Sequence, residues 1–184
     1  VFLGTLGPAV KAIVESYKIS EVKEGDIYLI NDSYIVGSHL NDMTVISPIF
    51  YKKKLIGFGA TKAHWMDIGA KSPSSATDST EIYQEGYRLG PTRAFKEGKP
   101  EKNIIDFLMR NSRLPKSIWG DLQAQIAACR TGEREMKKLY KKFGMEVIDS
   151  ACYSIFSQNE NAEREAVKKM PNGKWTTVGS LDSW

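Results

Sequence analysis

The 184-residue chain holds only two histidines and two cysteines. No apolar run approaches the ~20 residues that span a bilayer, which excludes a membrane helix and leaves a soluble globular class. Cys129 and Cys152 fall within helical patterns and are not in CxxC spacing. They read as reduced, buried small hydrophobes, not as a disulfide or a nucleophile, which suits a cytoplasmic protein. The sequence has no GxxxxGK[ST] loop: "NGKWTT" lacks both the glycine spacing and the hydroxyl after Lys174, which excludes a phosphate-cradling P-loop. Net charge is a mild +4, and the lysines are scattered or bunched as "KKK" in a turn. Without a basic stripe interleaved with aromatics, nothing supports nucleic-acid binding. The sequence opens on "VFLGTLGPAV" without an initiator Met and with no signal peptide visible, and closes on "GSLDSW"; it reads as a single domain or as a fragment of a larger subunit.

The patterning that is present predicts an α+β fold. Residues 5–18 place Ala9, Ile13 and Tyr17 four apart, an amphipathic helix whose first turn tolerates Pro8. Ile27 to Ile30 read as a short buried strand, and 31–41 as a polar loop. Met43 to Tyr51 and Leu55 to Ala63 are β-rich and joined by Lys52-Lys53-Lys54, a hairpin without an Asn-Gly turn. Residues 1–65 thus form a helix and β region, and 66–102 a loop-rich segment. A helical hairpin occupies 103–170, with a short first helix ended by Pro115. Its long helices carry Ile118, Leu122, Ile126 and Cys129 on one side of Gly144 and Ile148, Cys152 and Ile155 on the other, expected to pack antiparallel. Residues 171–184 alternate as a terminal strand.

The two histidines stand in matching contexts: His39 precedes Asp42 by three residues, and His64 precedes Asp67 by three. With nine Asp in the chain, chance produces both pairs about once in four hundred. A three-residue turn centred on Lys53 sets Asp42 directly opposite His64, with Cβ atoms ~4.5–5.5 Å apart; a two-residue turn shifts the register by one. On that face Ile46, Pro48 and Phe50 meet Ala60, Phe58 and Ile56 as an apolar floor, and His39 folds over the open end. Two His and one Asp make a three-ligand site with open positions, suited to Zn, Mn or Fe(II). Asp67 is a candidate fourth ligand, orienting acceptor or catalytic base. Asp78, Glu81 and Glu85 stand at a candidate helix start, as caps or as a general base.

"GDIYLINDSYIVGSHLNDMTVISPIFYKKKLIGF", "AHWMDIGAK", "DSTEIYQEGYRLGPTR" and "WGDLQAQIAACRTGER" resemble the hydantoinase B/oxoprolinase family, in the same order across nearly the whole chain. Family members are longer, so the chain corresponds to roughly an N-terminal third. In distant relatives, the acetone carboxylases, a similar His-x-x-Asp and later His bind a divalent metal. Carried over, they fall on His39, Asp42 and His64. Departures are Trp65 and Ala70, where many relatives have a second His and a glycine pair, and Ser33, where proline is common. The resemblance implies a metal-binding subunit of an ATP-dependent enzyme that activates a carbonyl oxygen. The outcome is hydrolysis of a cyclic amide or, alternatively, biotin-independent carboxylation of an acetophenone-type ketone. ATP and Mg would be held by a hydantoinase A-type partner subunit. Rival readings are a scaffold with a structural metal or none, and a stand-alone metallohydrolase using Asp67 as base.

Overall fold

A computed structural model describes residues 3–74 and 78–180. The elements are α1 (Leu3–Ser16), β1 (Ile27–Ile30), α2 (Ser33–Val36), β2 (Asp42–Tyr51), β3 (Lys54–His64), β4 (Thr92–Lys96), β5 (Lys99–Pro100), α3 (Lys102–Arg110), α4 (Pro115–Phe143) and α5 (Met145–Lys168). The fold is α+β. The strands form one antiparallel sheet in the order β3-β2-β1-β4-β5. The chain divides into two compact units, Val1–Lys138 and Leu139–Trp184, with the boundary inside α4.

The first unit is layered because strand side chains alternate between faces. Tyr28, Ile30 and Ile46 point to one side and pack with Ala9, Ala12 and Ile13 of α1. Ile27, Leu29, Met43 and Val45 point to the other and pack with Leu108 of α3 and Ile118, Leu122, Ile126 and Cys129 of α4. This sandwiching explains why β1 is buried at all four positions. Pro8 lies inside α1, beyond its first turn, so the helix loses one backbone donor there.

Four expectations are corrected. Pro115 does not end the preceding helix; it is the first residue of α4, where its missing N–H would lack a partner anyway. The 66–102 segment contains β4, which pairs with β1, so a sheet edge supplies the order that its own sequence pattern does not. The apolar stripe of α4 is buried against the sheet, while α5 in the second unit has no buried residue and Cys152 and Ile155 are exposed. The α5 stripe is thin, built partly of Cys152, Ala162 and Ala166. Finally, residues 171–180 carry no strand and are exposed throughout, without a strand partner; 181–184 lie outside the described residues. Among the described residues no helix is long and apolar enough to cross a membrane.

Candidate metal centre

The β2–β3 hairpin sets the register on which the site depends. Lys52 and Lys53 both have positive φ, 49° and 66°, and Tyr51 pairs with Lys54. This is a two-residue turn of the mirror-image kind that matches strand twist, not the three-residue turn expected. Such a turn alone would leave Asp42 opposite Ala63. The register shifts once, between Ile49 and Phe50: Phe50 pairs with Leu55, but Ile49 pairs with Gly57. Ile56 is the extra residue of a β-bulge, and it restores the count. From there Asp42 pairs with His64, Thr44 with Lys62, Ile46 with Ala60 and Pro48 with Phe58. The expected facing pair is present, reached by a different route, and Ile56 leaves the apolar floor.

Asp42 is 1% exposed and sits between both histidines. His64 Nδ1 lies 3.0 Å from Asp42 Oδ1, and His39 Nδ1 lies 3.9 Å from Asp42 Oδ2. The two imidazoles meet edge to face with centroids 6.2 Å apart. Among the described residues, His39, Asp42 and His64 are the one group of three potential ligands, with donor atoms all within 4.8 Å of one another. The donor set of two imidazoles and a carboxylate fits a divalent cation of the Zn, Mn or Fe(II) kind. The exposed side of His39 leaves room for other ligands.

The tetrapeptide His39-Leu40-Asn41-Asp42 is held at every position. His39 N–H donates to Asp42 Oδ2 (3.2 Å) while Asp42 N–H donates back to the His39 carbonyl (3.0 Å). Buried Asn31 donates to the Leu40 carbonyl (2.7 Å) and the Tyr87 carbonyl (3.0 Å), and accepts from Leu89 N–H (2.6 Å). Asn41 donates to the Trp65 carbonyl (2.8 Å), and Trp65 N–H donates to the Asn41 carbonyl (2.7 Å). From the opposite face, Gln125 of α4 accepts from the Trp65 indole (2.8 Å) and donates to the Met43 carbonyl (3.0 Å). The neighbours of Asp42 and His64 are therefore clamped by one amide. Buried polar groups arranged this way are stiff, because each lost bond leaves a desolvated partner. The roles of Asn31, Asn41 and Gln125 escaped the sequence reading; apart from the Trp65–Gln125 bond, their partners are backbone atoms, which leave no motif. Trp65 is part of the core and not of a substrate pocket.

Asp67 does not join the cluster. It is fully buried and held by Arg113 through the backbone N–H and a forked guanidinium contact, with Gly69 N–H also donating (3.2 Å). The Arg113 bonds bring its carboxyl down to about 2 despite burial, which opposes the shift. A carboxylate held in that state makes a poor base, and both of its oxygens already accept hydrogen bonds. The second His-x-x-Asp is thus a structural turn, locking residues 67–70 to the α3–α4 connection. Asp78 pairs with Lys71 at 2.9 Å, and Glu81 precedes a short 3₁₀ turn, Ile82–Glu85, without capping it by its side chain.

Two further features border the cluster. Lys62 lies on the same sheet face as Asp42 and His64, its Nζ donating to Thr5 Oγ1 (2.6 Å) and Ser38 Oγ (2.9 Å). Burial lowers the pKa of its ammonium, and the charge of Asp42 partly offsets this. Beside His39 opens a groove of about 540 Å³, lined by Ser33, Ser38, Thr80, Glu81 and Glu85 among others. Ser33, one of the positions where family members often differ, therefore faces this groove.

The whole chain, residues 1–184, matches the hydantoinase B/oxoprolinase family. It is 31% identical to the caprolactamase subunit beta of Pseudomonas jessenii, over 99% of this chain and 31% of that subunit. The crystal structure of the ATP-dependent caprolactamase from the same organism superimposes with a TM-score of 0.86 at 32% identity, covering 93% of this chain and 30% of that one. The acetophenone carboxylase delta subunit of Aromatoleum aromaticum is 27% identical over 95% of this chain and 26% of its own length. The chain spans under a third of the length of these relatives. The match over its full length in sequence, and over 93% of it in fold, means that this chain belongs to the hydantoinase B/oxoprolinase family.

Proposed function

We propose that the chain is the metal-holding part of a subunit in an ATP-dependent enzyme that hydrolyses a cyclic amide, with His39, Asp42 and His64 as ligands of one divalent cation. The observation that carries this is the convergence of three donor atoms within 4.8 Å from a loop and two strands. Ligands at 2.0–2.2 Å from one ion lie about 3–4 Å apart. Exposed His39 has the rotational freedom to make up the difference. A bound cation would act as a Lewis acid on a substrate oxygen or water. The chain's own residues set buried Asp42 against both imidazoles and leave exposed His39 at the rim of the groove. That groove is within the size range of small-molecule sites, and its hydroxyls and carboxylates can take up a small polar amide. ATP and Mg belong, on this reading, to a hydantoinase A-type partner, since the sequence carries no P-loop.

A ketone carboxylase is the second reading, favoured by the likeness to the acetophenone enzyme. The deciding experiment measures metal content, then assays the subunit with its A-type partner and ATP against a hydantoin, a lactam, 5-oxoproline, and an aryl ketone with bicarbonate. His39→Ala or His64→Ala should remove the metal and the ATP-dependent turnover while leaving the circular dichroism spectrum intact. Metal content unchanged in both variants, or absent from the wild type, sinks the ligand assignment.

A further inference from the structure

Lys62 is a half-buried cation without a direct ion pair among the described residues, and the nearby charge of Asp42 offsets its burial only in part. Its two partners, Thr5 Oγ1 and Ser38 Oγ, are neutral hydroxyls. Among the described residues no carboxylate lies within ion-pair distance of it; Asp42, on the same face, is engaged by the histidines instead. An ammonium has three donors, so one N–H of Lys62 has no partner among the described residues. A desolvated cation is costly unless an anion compensates it. Yet its position is fixed from two sides, by α1 through Thr5 and by the His39 loop through Ser38. A surface lysine left to solvent needs no such anchorage. Ser38 accepts from Lys62, which leaves its own hydroxyl proton free to donate, and Ser38 also lines the groove beside His39.

Lys62 itself does not line the groove; it stands 2.9 Å behind Ser38, which does. We propose that Lys62, with Ser38, is an oxyanion-binding element at the Ser38 side of this site, taking a phosphoryl or carboxylate oxygen of a ligand that reaches past Ser38 from the His39 groove. Lys62 then balances the ligand's negative charge while the His39/Asp42/His64 cluster faces a neighbouring oxygen. The second half of that statement rests on the metal reading above; the anion element itself does not.

The test titrates inorganic phosphate and acetate into the whole chain, with and without Mn(II), and reads affinity by calorimetry and, for phosphate, by ³¹P relaxation. Lys62→Met should weaken binding of the preferred anion by about tenfold or more, with Mn(II) affinity not reduced, since a cation near Asp42 is removed. Ser38→Ala should weaken it less, and Lys62→Arg should restore part of it. Lys53→Met, in the exposed turn, should change nothing. Stronger phosphate than acetate binding identifies a phosphoryl ligand, and the reverse a carboxylate. If anion binding is absent, or equal in wild type and Lys62→Met, the inference is overturned whether or not Mn(II) binds. If Mn(II) does not bind but anion binding still depends on Lys62, the metal reading fails and this one stands. Should Lys62→Met unfold, Thr5→Val with Ser38→Ala removes the two hydroxyls that fix the ammonium and is held to the same outcomes.

Discussion

Asp42 and Asp67 stand in matching sequence contexts, three residues after a histidine, and have opposite fates. Asp42 is reached by both imidazoles, whereas Asp67 is claimed by Arg113, 46 residues further on. The Asp67 carboxyl is held below its unfolded value, at about 2. A depressed carboxyl stabilises the fold above its unfolded pKa and loses that contribution as pH falls through the folded one. The window is therefore from about 4 down to about 2. The half-exposed guanidinium is screened by solvent, which limits the contribution to about 1–2 kcal/mol. Asp67→Asn should lose about that much stability at neutral pH, measured by urea unfolding, and should show a flatter stability profile between pH 4 and 2. Its metal affinity should match the wild type, while Asp42→Asn should lose the metal. A collapse of metal binding in Asp67→Asn would return that residue to the site.

At the scale of elements, the β2–β3 hairpin shows how two local irregularities produce a regular register where it matters. The turn residues Lys52 and Lys53 adopt a left-handed conformation that non-glycine residues occupy at a cost of about 1 kcal/mol each. The double substitution Lys52→Asn with Lys53→Gly supplies the residue types that this turn favours, and should raise stability by about 1 kcal/mol. Metal affinity should be unchanged, because the bulge at Ile56 lies between the turn and the site. A loss of metal in that variant would show that the turn, not the bulge, governs the pairing of Asp42 with His64. Gly86 plays a comparable local role. Its φ is +115°, and a Cβ there would stand 2.5 Å from the Ile68 carbonyl oxygen, which accepts from Tyr87 N–H at 2.9 Å. Only glycine lets the segment carrying Tyr87 and Leu89, the partners of Asn31, approach so closely.

Across the whole molecule, burial is distributed unevenly. Leu122 and Ile126 of α4 are sealed in the first unit, while α5 exposes Tyr153 (77%), Ile155 (55%) and Phe156 (73%). Leu122→Ala should cost about 2–5 kcal/mol through the lost transfer energy and the cavity left behind. Ile155→Ala should change stability by less than about 0.5 kcal/mol. Equal and large losses at both positions, by thermal or urea unfolding of the 184-residue chain, would mean that α5 has a packed face after all.

The sequence by itself determined β1 to the residue, the long helices and the β2–β3 hairpin; the meeting of Asp42 with His64 was expected from it, but the two-residue turn and the bulge that produce it were not. Each of those elements is written in local periodicity, where alternation and helical spacing mark which side of an element must leave water. It also held the three ligand candidates, because histidine is so scarce here that its spacing to aspartate carries information. Only the tertiary structure decided the rest. Asp67 turned away because Arg113 came within reach. The stripe of α4 was taken up by the sheet, and residues 92–96 became a strand because β1 offered an unpaired edge. Lys62, Asn31 and Gln125 gained their positions mostly from partners far along the chain, up to 82 residues away. Pairings across such separations follow from which faces are buried together, and no window of sequence contains both halves of that decision.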